Sequence, residues 1–287
     1  MNGTNTQTNE QWTTVLQPQN GWFDLRVKDL WRYRDLILLF VRRNFVVVYK
    51  QTILGPLWFL LQPLFSTLVF TIIFGKIARI STDGLPPVLF YLAGIVTWNY
   101  FSACLTMTSD TFVVNAGLFG KVYFPRLAVP VSIVITNLIT FGIQFCLFLS
   151  FLLYFYVTGS IIKPNVWIAL TPLLLLEMAA LGLGSGILVS SLTTKYRDLN
   201  YVVGFGVQLW MYATPVVYPM SQIPVKWQWL FALNPMAAPV EAFRFAFLGT
   251  GAIQGWHFIV SVAVTVFILL IGIILFSRIE KTFMDTV

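Results

Sequence analysis

An all-α integral membrane protein is the fold class this sequence predicts, and three observations predict it. The 287 residues are 57% hydrophobic and only 10% charged, whereas a soluble domain carries about 25% charged residues. The apolar residues gather into runs of the length a helix needs to cross roughly 30 Å of hydrocarbon. In lipid only helices and closed barrels satisfy the backbone polar groups, and these runs lack the alternation of barrel strands.

Residues 1–24 open with "MNGTNTQTNEQWTTVLQPQN". They have neither a basic n-region nor an apolar h-region, so a flexible polar tail without a cleavable signal is expected. Residues 25–50 contain "KDLWRYRDLILLFVRRNFVVVYK". At 100° per residue, Lys28, Arg32, Asp35, Arg42 and Arg43 fall on one side, and Trp31, Leu38, Val41, Phe45 and Val48 on the other; Arg34 breaks the pattern. This reads as an amphipathic helix in the membrane interface, the alternative being a short soluble helix packed on a partner.

Residues 51–287 form the transmembrane domain. Six apolar runs, at about 53–74, 88–109, 131–157, 166–192, 201–217 and 257–276, are the expected spans, the fifth shortened by Pro215. Six spans put both ends on one side, and 13 Lys/Arg there against 5 opposite place both termini in the cytoplasm. No internal repeat is evident, which argues against an inverted-repeat carrier.

Between the fifth and sixth runs lies "YPMSQIPVKWQWLFALNPMAAPVEAFRFAFLGTG", apolar but broken by Pro224, Asn234-Pro235 and Pro239. Its two pieces, 224–233 and 239–248, are each near half a span. A residue before proline disfavours helix, and irregular backbone at membrane depth survives only when buried in protein or lining a cavity. Two re-entrant half-helices on the extracytoplasmic side satisfy that rule.

The inventory of reactive groups is poor. The net charge of +7 is not gathered into a patch suited to nucleic acid, and Cys104 and Cys146 both lie in apolar runs. His257 is the sole histidine, and no carboxylate pair, metal-ligand spacing or G-x-S-x-G elbow is present. "GLFGK" at 117–121 lacks the phosphate-loop spacing, and Val122 stands where a magnesium-holding hydroxyl would be. Glu177 falls near the middle of a span, so it must be protonated, paired or facing a wet cavity. It is either a pathway or proton site, or a helix–helix hydrogen bond. Gly182, Gly184 and Gly186 include a G-x-x-x-G spacing that permits close helix contact.

On the fifth run Tyr201, Phe205, Gln208 and Tyr212 share a face; on the first, Phe59, Gln62, Ser66 and Phe70 do so, with Trp58 and Trp210 at the flanks. Sugars present C–H faces to rings and hydroxyls to amides, so such a stripe could let a glycan slide. Placement of rings in the core and the interfacial belts is the plainer explanation.

Four stretches occur in order: "YKQTILGPLWFLLQPLF" to "IIFGKI", "NAGLFGKVYFPRLAVP", "TTKYRDLNYVV" and "LNPMAAPVEAFRFAFLG". Together they resemble the permease subunit of bacterial ABC exporters for polysaccharides, the O-antigen, capsule and teichoic-acid class, over about residues 42–276. The resemblance implies a homodimeric channel in the inner membrane with two copies of a separate ATPase. ATP and magnesium then belong to that partner, and this chain holds no cofactor and is not itself an enzyme. It implies a lipid-linked polysaccharide, O-antigen first among the candidates, entering by its polyprenyl-pyrophosphate end, to which Arg42, Arg43 and Lys50 could be attractive if they are not simply headgroup anchors. Gly117, Lys121, Phe124, Pro125 and Arg126 match the coupling helix that docks on the ATPase, and Arg197 and Asp198 the second contact, or a local ion pair. An ordinary positive-inside loop is the alternative for the former, although the apolar "VYF" would then be needlessly exposed. Asn234, Pro235, Glu241 and Arg244 match the exit gate, the last two as a latch or as groups satisfying each other near the surface. Exporters of drugs or small lipids are the near alternative, and a polyprenyl-dependent glycosyltransferase or polymerase the rival from another class.

Overall fold

The computed structural model describes residues 27–50, 53–122, 124–193, 198–251 and 255–286; the 1–24 tail and Arg197 lie outside them. Every regular element among the described residues is helical.

Helices α1 (Val27–Arg32) and α2 (Arg34–Tyr49) form the amphipathic segment, interrupted at Tyr33, whose ψ of 22° leaves the helical range. Ile37, Phe40 and Val41 are the buried edge of α2. Trp31 and Leu38, expected to share Val41's apolar face, are instead 74% and 60% exposed. The helix therefore carries two apolar edges, one against the protein and one facing outward.

Among the described residues five helices are long and apolar enough to cross a membrane: Gly55–Ile77, Pro87–Ser109, Ala128–Val157, Val166–Thr193 and Gly255–Ile279. The first comprises α3 (Trp58–Phe70) and a π-helical continuation, Thr71–Ile77. Then come α4 (Pro87–Ser109), the short α5 (Thr111–Val114) and α6 (Ala116–Phe119), α7 (Ala128–Val157) and α8 (Thr171–Thr193). They are followed by α9 (Leu199–Ala213), α10 (Val225–Ala232), α11 (Ala237–Leu248) and α12 (Gly255–Thr286).

The expected run at 201–217 is not one regular helix. α9 has 15 residues, about 22 Å of rise, short of roughly 30 Å of hydrocarbon. Pro215 is the reason: it cannot donate a backbone hydrogen bond and it drives the preceding residue out of the helical region. Thr214 accordingly has ψ 145°, and residues 214–217 continue as buried, non-helical backbone. Neither α10, with 8 residues, nor α11, with 12, is long enough to cross alone. The break between them falls at Leu233–Met236, as the Asn-Pro pair predicts.

α4 is the central rod, buried along most of its length and packed on α3, α7, α8 and α11. The glycines of α8 serve close contact on two sides. A Cβ at Gly186 would sit 2.5 Å from Thr108 Cβ on α4, and one at Gly184 would sit 2.7 Å from Leu269 Cα on α12. Backbone atoms cannot swing aside as a side-chain tip can. We expect Gly184→Ala to destabilise the fold by about 1–3 kcal/mol through overpacking. Gly206→Ala on α9 is the control, because its Cβ meets nothing within 4 Å. Thermal midpoints in detergent compare the two, and equal midpoints would refute the close-contact role.

Candidate functional site

Four helices converge on one cavity of about 500 Å³. Phe59 and Gln62 reach it from α3, and Gly204, Val207, Gln208 and Met211 from α9. Asn99, Ser102 and Thr106 follow one another at three- and four-residue spacing on α4, so one stripe of that helix faces inward. Asn137, Thr140, Phe141 and Gln144 do the same on α7, and Phe45 of α2 closes one side. Among the described residues the lining holds rings, aliphatic side chains such as Met107, Val207 and Met211, hydroxyls and five side-chain amides, and no Asp, Glu, Lys, Arg or His.

The amides are largely unspent. Asn99 Nδ2 donates to Gln144 Oε1 at 3.4 Å, and Asn137 Nδ2 makes only a 3.5 Å contact with Met107 Sδ. Gln62 and Gln208 make no hydrogen bond to another described residue. Gln62 and Gln208 are exposed, and their donors and acceptors are open to water or to a polar ligand.

The expected aromatic stripe is divided by this geometry. Phe59, Gln62 and Gln208 line the cavity; Trp58, Ser66, Tyr201, Phe205 and Tyr212 do not. Tyr201, Phe205 and Tyr212 are 86%, 64% and 43% exposed. Trp210 turns inward to stack edge-on against Trp98 and Phe101. Asn99, Asn137 and Gln144 were missed by the stripe argument, although amides inside apolar runs were a signal in themselves.

A second constellation sits where α9 stops. Asn234 spends its whole side chain there. Oδ1 accepts from Trp210 Nε1 and from Met236 N, both at 3.0 Å, and Nδ2 donates to Ala213 O at 3.0 Å and Thr214 Oγ1 at 2.9 Å. Arg244 completes the work: its guanidinium donates to Pro215 O and Val216 O and lies 3.7 Å from the Phe90 ring centroid. Carbonyls left free by the broken helix thus receive donors from the α10–α11 segment, which a non-aqueous surrounding demands.

Glu241 is 3.5 Å from Arg244 and accepts from Met220 N at 3.4 Å. Burial pushes its carboxyl up, and Arg244 and the Met220 N–H oppose that. Both members of the pair are buried, so the expectation of groups satisfying each other near the surface is corrected: this pair is inside the packed core. Gly94 makes room for it, since a Cβ there would lie 2.6 Å from Arg244 Nη2.

Glu177 is also buried, and it is not in the cavity lining. Ser261 of α12 bonds its carboxylate, and the same Ser261 hydroxyl contacts Pro235 O at 2.6 Å. One carboxyl therefore ties α8 to α12 and to the break before α11. Glu177→Gln, which keeps a donor and an acceptor, should leave the thermal midpoint nearly unchanged. Glu177→Leu should cost about 1–3 kcal/mol. Equal loss in both variants would show that the charge itself is needed.

At the turn between α4 and α7, the resemblance put Phe124 in the foot that docks on the ATPase. It is buried, 5.6 Å from Phe40 and 5.8 Å from Phe119 between ring centroids. Pro125 and Arg126 are buried too, Arg126 with its guanidinium 5.4 Å from the Phe119 ring. The outward surface is made of Val113, Val114, Gly117, Lys121 and Val122. Asp198 is exposed at the start of α9. Among the described residues no three His, Cys, Asp or Glu side chains come together as a metal site would require.

The chain is 27% identical over 254 residues to the O-antigen export system permease protein RfbA of Klebsiella pneumoniae, covering 88% of this chain and 94% of that one. It is 29% identical over 225 residues to the protein of the same name from Myxococcus xanthus, covering 77% and 83%. It is 24% identical over 219 residues to the inner membrane transport permease YadH of Escherichia coli K12, covering 72% and 79%. Residues 35–248, three-quarters of the sequence and the whole of both constellations except Ser261, match the ABC-2 type transporter family, and to that family this chain belongs.

Proposed function

We propose that this chain is the transmembrane subunit of an ATP-driven exporter that moves a lipid-linked polysaccharide, O-antigen above all, outward across the inner membrane. Two copies enclose the channel, and two copies of a separate ABC ATPase supply the energy. Both termini face the cytoplasm, α1 and α2 lie in the interface, and α9 with residues 214–217 makes the sixth crossing. The segments α10 and α11 enter the outer leaflet without crossing it and form the exit gate. Gly117, Lys121 and Val122 dock on the ATPase, Arg197 and Asp198 make the second contact that the resemblance implies, and Phe124, Pro125 and Arg126 hold the first turn in shape.

The observation that supports this reading is the cavity whose described lining brings five amides and several rings together. Glycan hydroxyls match amides, and sugar C–H faces match Phe59, Phe141 and Trp98. An exporter of drugs or small lipids would call for a broad apolar cavity instead. The test is reconstitution of this chain with its ATPase in vesicles loaded with a polyprenyl-pyrophosphate-linked glycan. Movement of glycan that requires ATP is the expected result. ATP hydrolysis without glycan movement, or glycan movement without the ATPase, would overturn the proposal.

A further inference from the structure

We infer that Asn137 and Gln144 of α7, with Asn99 of α4, form a glycan-binding subsite on the inner wall of the cavity, taking hydroxyls from two successive sugar units. This rests on the export proposed above and names the residues that hold its substrate.

Asn137 and Gln144 are only 6% and 4% exposed, yet both line the cavity. Neither spends its amide on the protein. Gln144 Oε1 accepts from Asn99 Nδ2 at 3.4 Å, and Asn137 Nδ2 meets only Met107 Sδ at 3.5 Å. Gln144 Nε2 and Asn137 Oδ1 bond no other described residue. A side-chain amide offers two donors and a carbonyl acceptor, and burying it is costly unless they are satisfied. Their partner therefore comes from whatever fills the cavity: water, or a group that bonds as water does. A sugar hydroxyl, which both donates and accepts, is such a group. The spacing says how much of the glycan is held. Asn137 and Gln144 are seven residues apart on α7, about 10 Å of rise, with Thr140 between them on the lining. The hydroxyls of one hexose ring do not span that distance, so the two amides address neighbouring units of a chain. The Asn99–Gln144 bond is longer than an ordinary N–H···O bond, and a hydroxyl can take its place. This wall is also firm, because α4 and α7 pack directly on each other, whereas Gln62 and Gln208 stand exposed on α3 and α9.

The test uses the complete transporter in vesicles with a polyprenyl-pyrophosphate-linked glycan and its O-methylated counterpart, whose sugars no longer donate hydrogen bonds. Asn137→Leu and Gln144→Met nearly conserve side-chain volume and remove the amides. Each should raise the glycan concentration for half-maximal ATP-dependent movement about 3- to 10-fold and leave the maximal rate unchanged. Methylation should weaken the unaltered protein's half-saturation and cost the variants little more, because both changes remove the same bonds. Thermal midpoints of the variants should hold or rise, since each loses a buried amide that the protein itself leaves largely unbonded. Unchanged half-saturation in both variants would sink the subsite while leaving export intact. So would lowered thermal midpoints with fully additive effects of variant and methylation, which mark amides that only hold helices together. If the unmethylated glycan did not move with ATP in the unaltered protein, the proposed export itself would fail.

Discussion

Replacing Arg244 by alanine is expected to cost about 3–5 kcal/mol, the range for breaking a buried ion pair from one side. Three losses coincide. Pro215 O and Val216 O lose their donors, Glu241 is left as a buried acid without its partner, and the Phe90 ring loses the guanidinium stacked on it. Arg244→Lys should recover little of this, because one ammonium cannot reach two carbonyls and lie flat on a ring at once. Arg244→Ala combined with Glu241→Gln should be more stable than Arg244→Ala alone, since it removes the orphaned charge. Thermal midpoints of the detergent-solubilised proteins order the set. A double variant no better than the single one would mean that the carbonyls, and not the ion pair, set the cost.

Phe124→Asp is the second large effect, and the structure changes what it should do. An exposed foot for the ATPase would give an uncoupled but folded protein. Phe124 instead sits among Phe40, Phe119, Val129 and Ile133. Removing a buried phenyl ring alone costs about 3–5 kcal/mol, and a carboxylate in that cluster adds its own desolvation. We expect loss of folded protein, with α2 released from the bundle. Val122→Asp, on the exposed side of the same turn, should leave the thermal midpoint unchanged and reduce ATP-dependent transport. A folded Phe124→Asp protein, or a fully active Val122→Asp protein, would count against this division of the turn.

Much of the architecture was legible in the residues. Runs of hydrocarbon length announce spans because the bilayer tests each segment nearly on its own. Prolines announce breaks because their ring acts on the preceding residue, and the breaks at Thr214 and before α11 follow; Pro63 inside α3 and Pro239, expected as a break but lying in the first turn of α11, are held within helices by their packing. The glycines of α8 also read correctly, as points of close approach. The site was only half legible. Helical spacing put Gln208 with Tyr201, Phe205 and Tyr212, yet a face marked by spacing says nothing about which of its edges meets a cavity. Gln208 lines the cavity and the three rings are not part of its lining.

What the sequence determined by itself was the set of lipid-length rods, their order and the places where the rods must break, since these depend on solvation and on bonds a residue or two away. Only the tertiary structure decided that Arg244 and Asn234 would supply donors to carbonyls freed where Pro215 ends the helix, that Phe124 would turn inward, and that amides on four different helices would line one cavity. Those outcomes join residues up to about a hundred positions or more apart in the chain. No local pattern encodes which of them meet, because that is settled by how whole helices pack against one another.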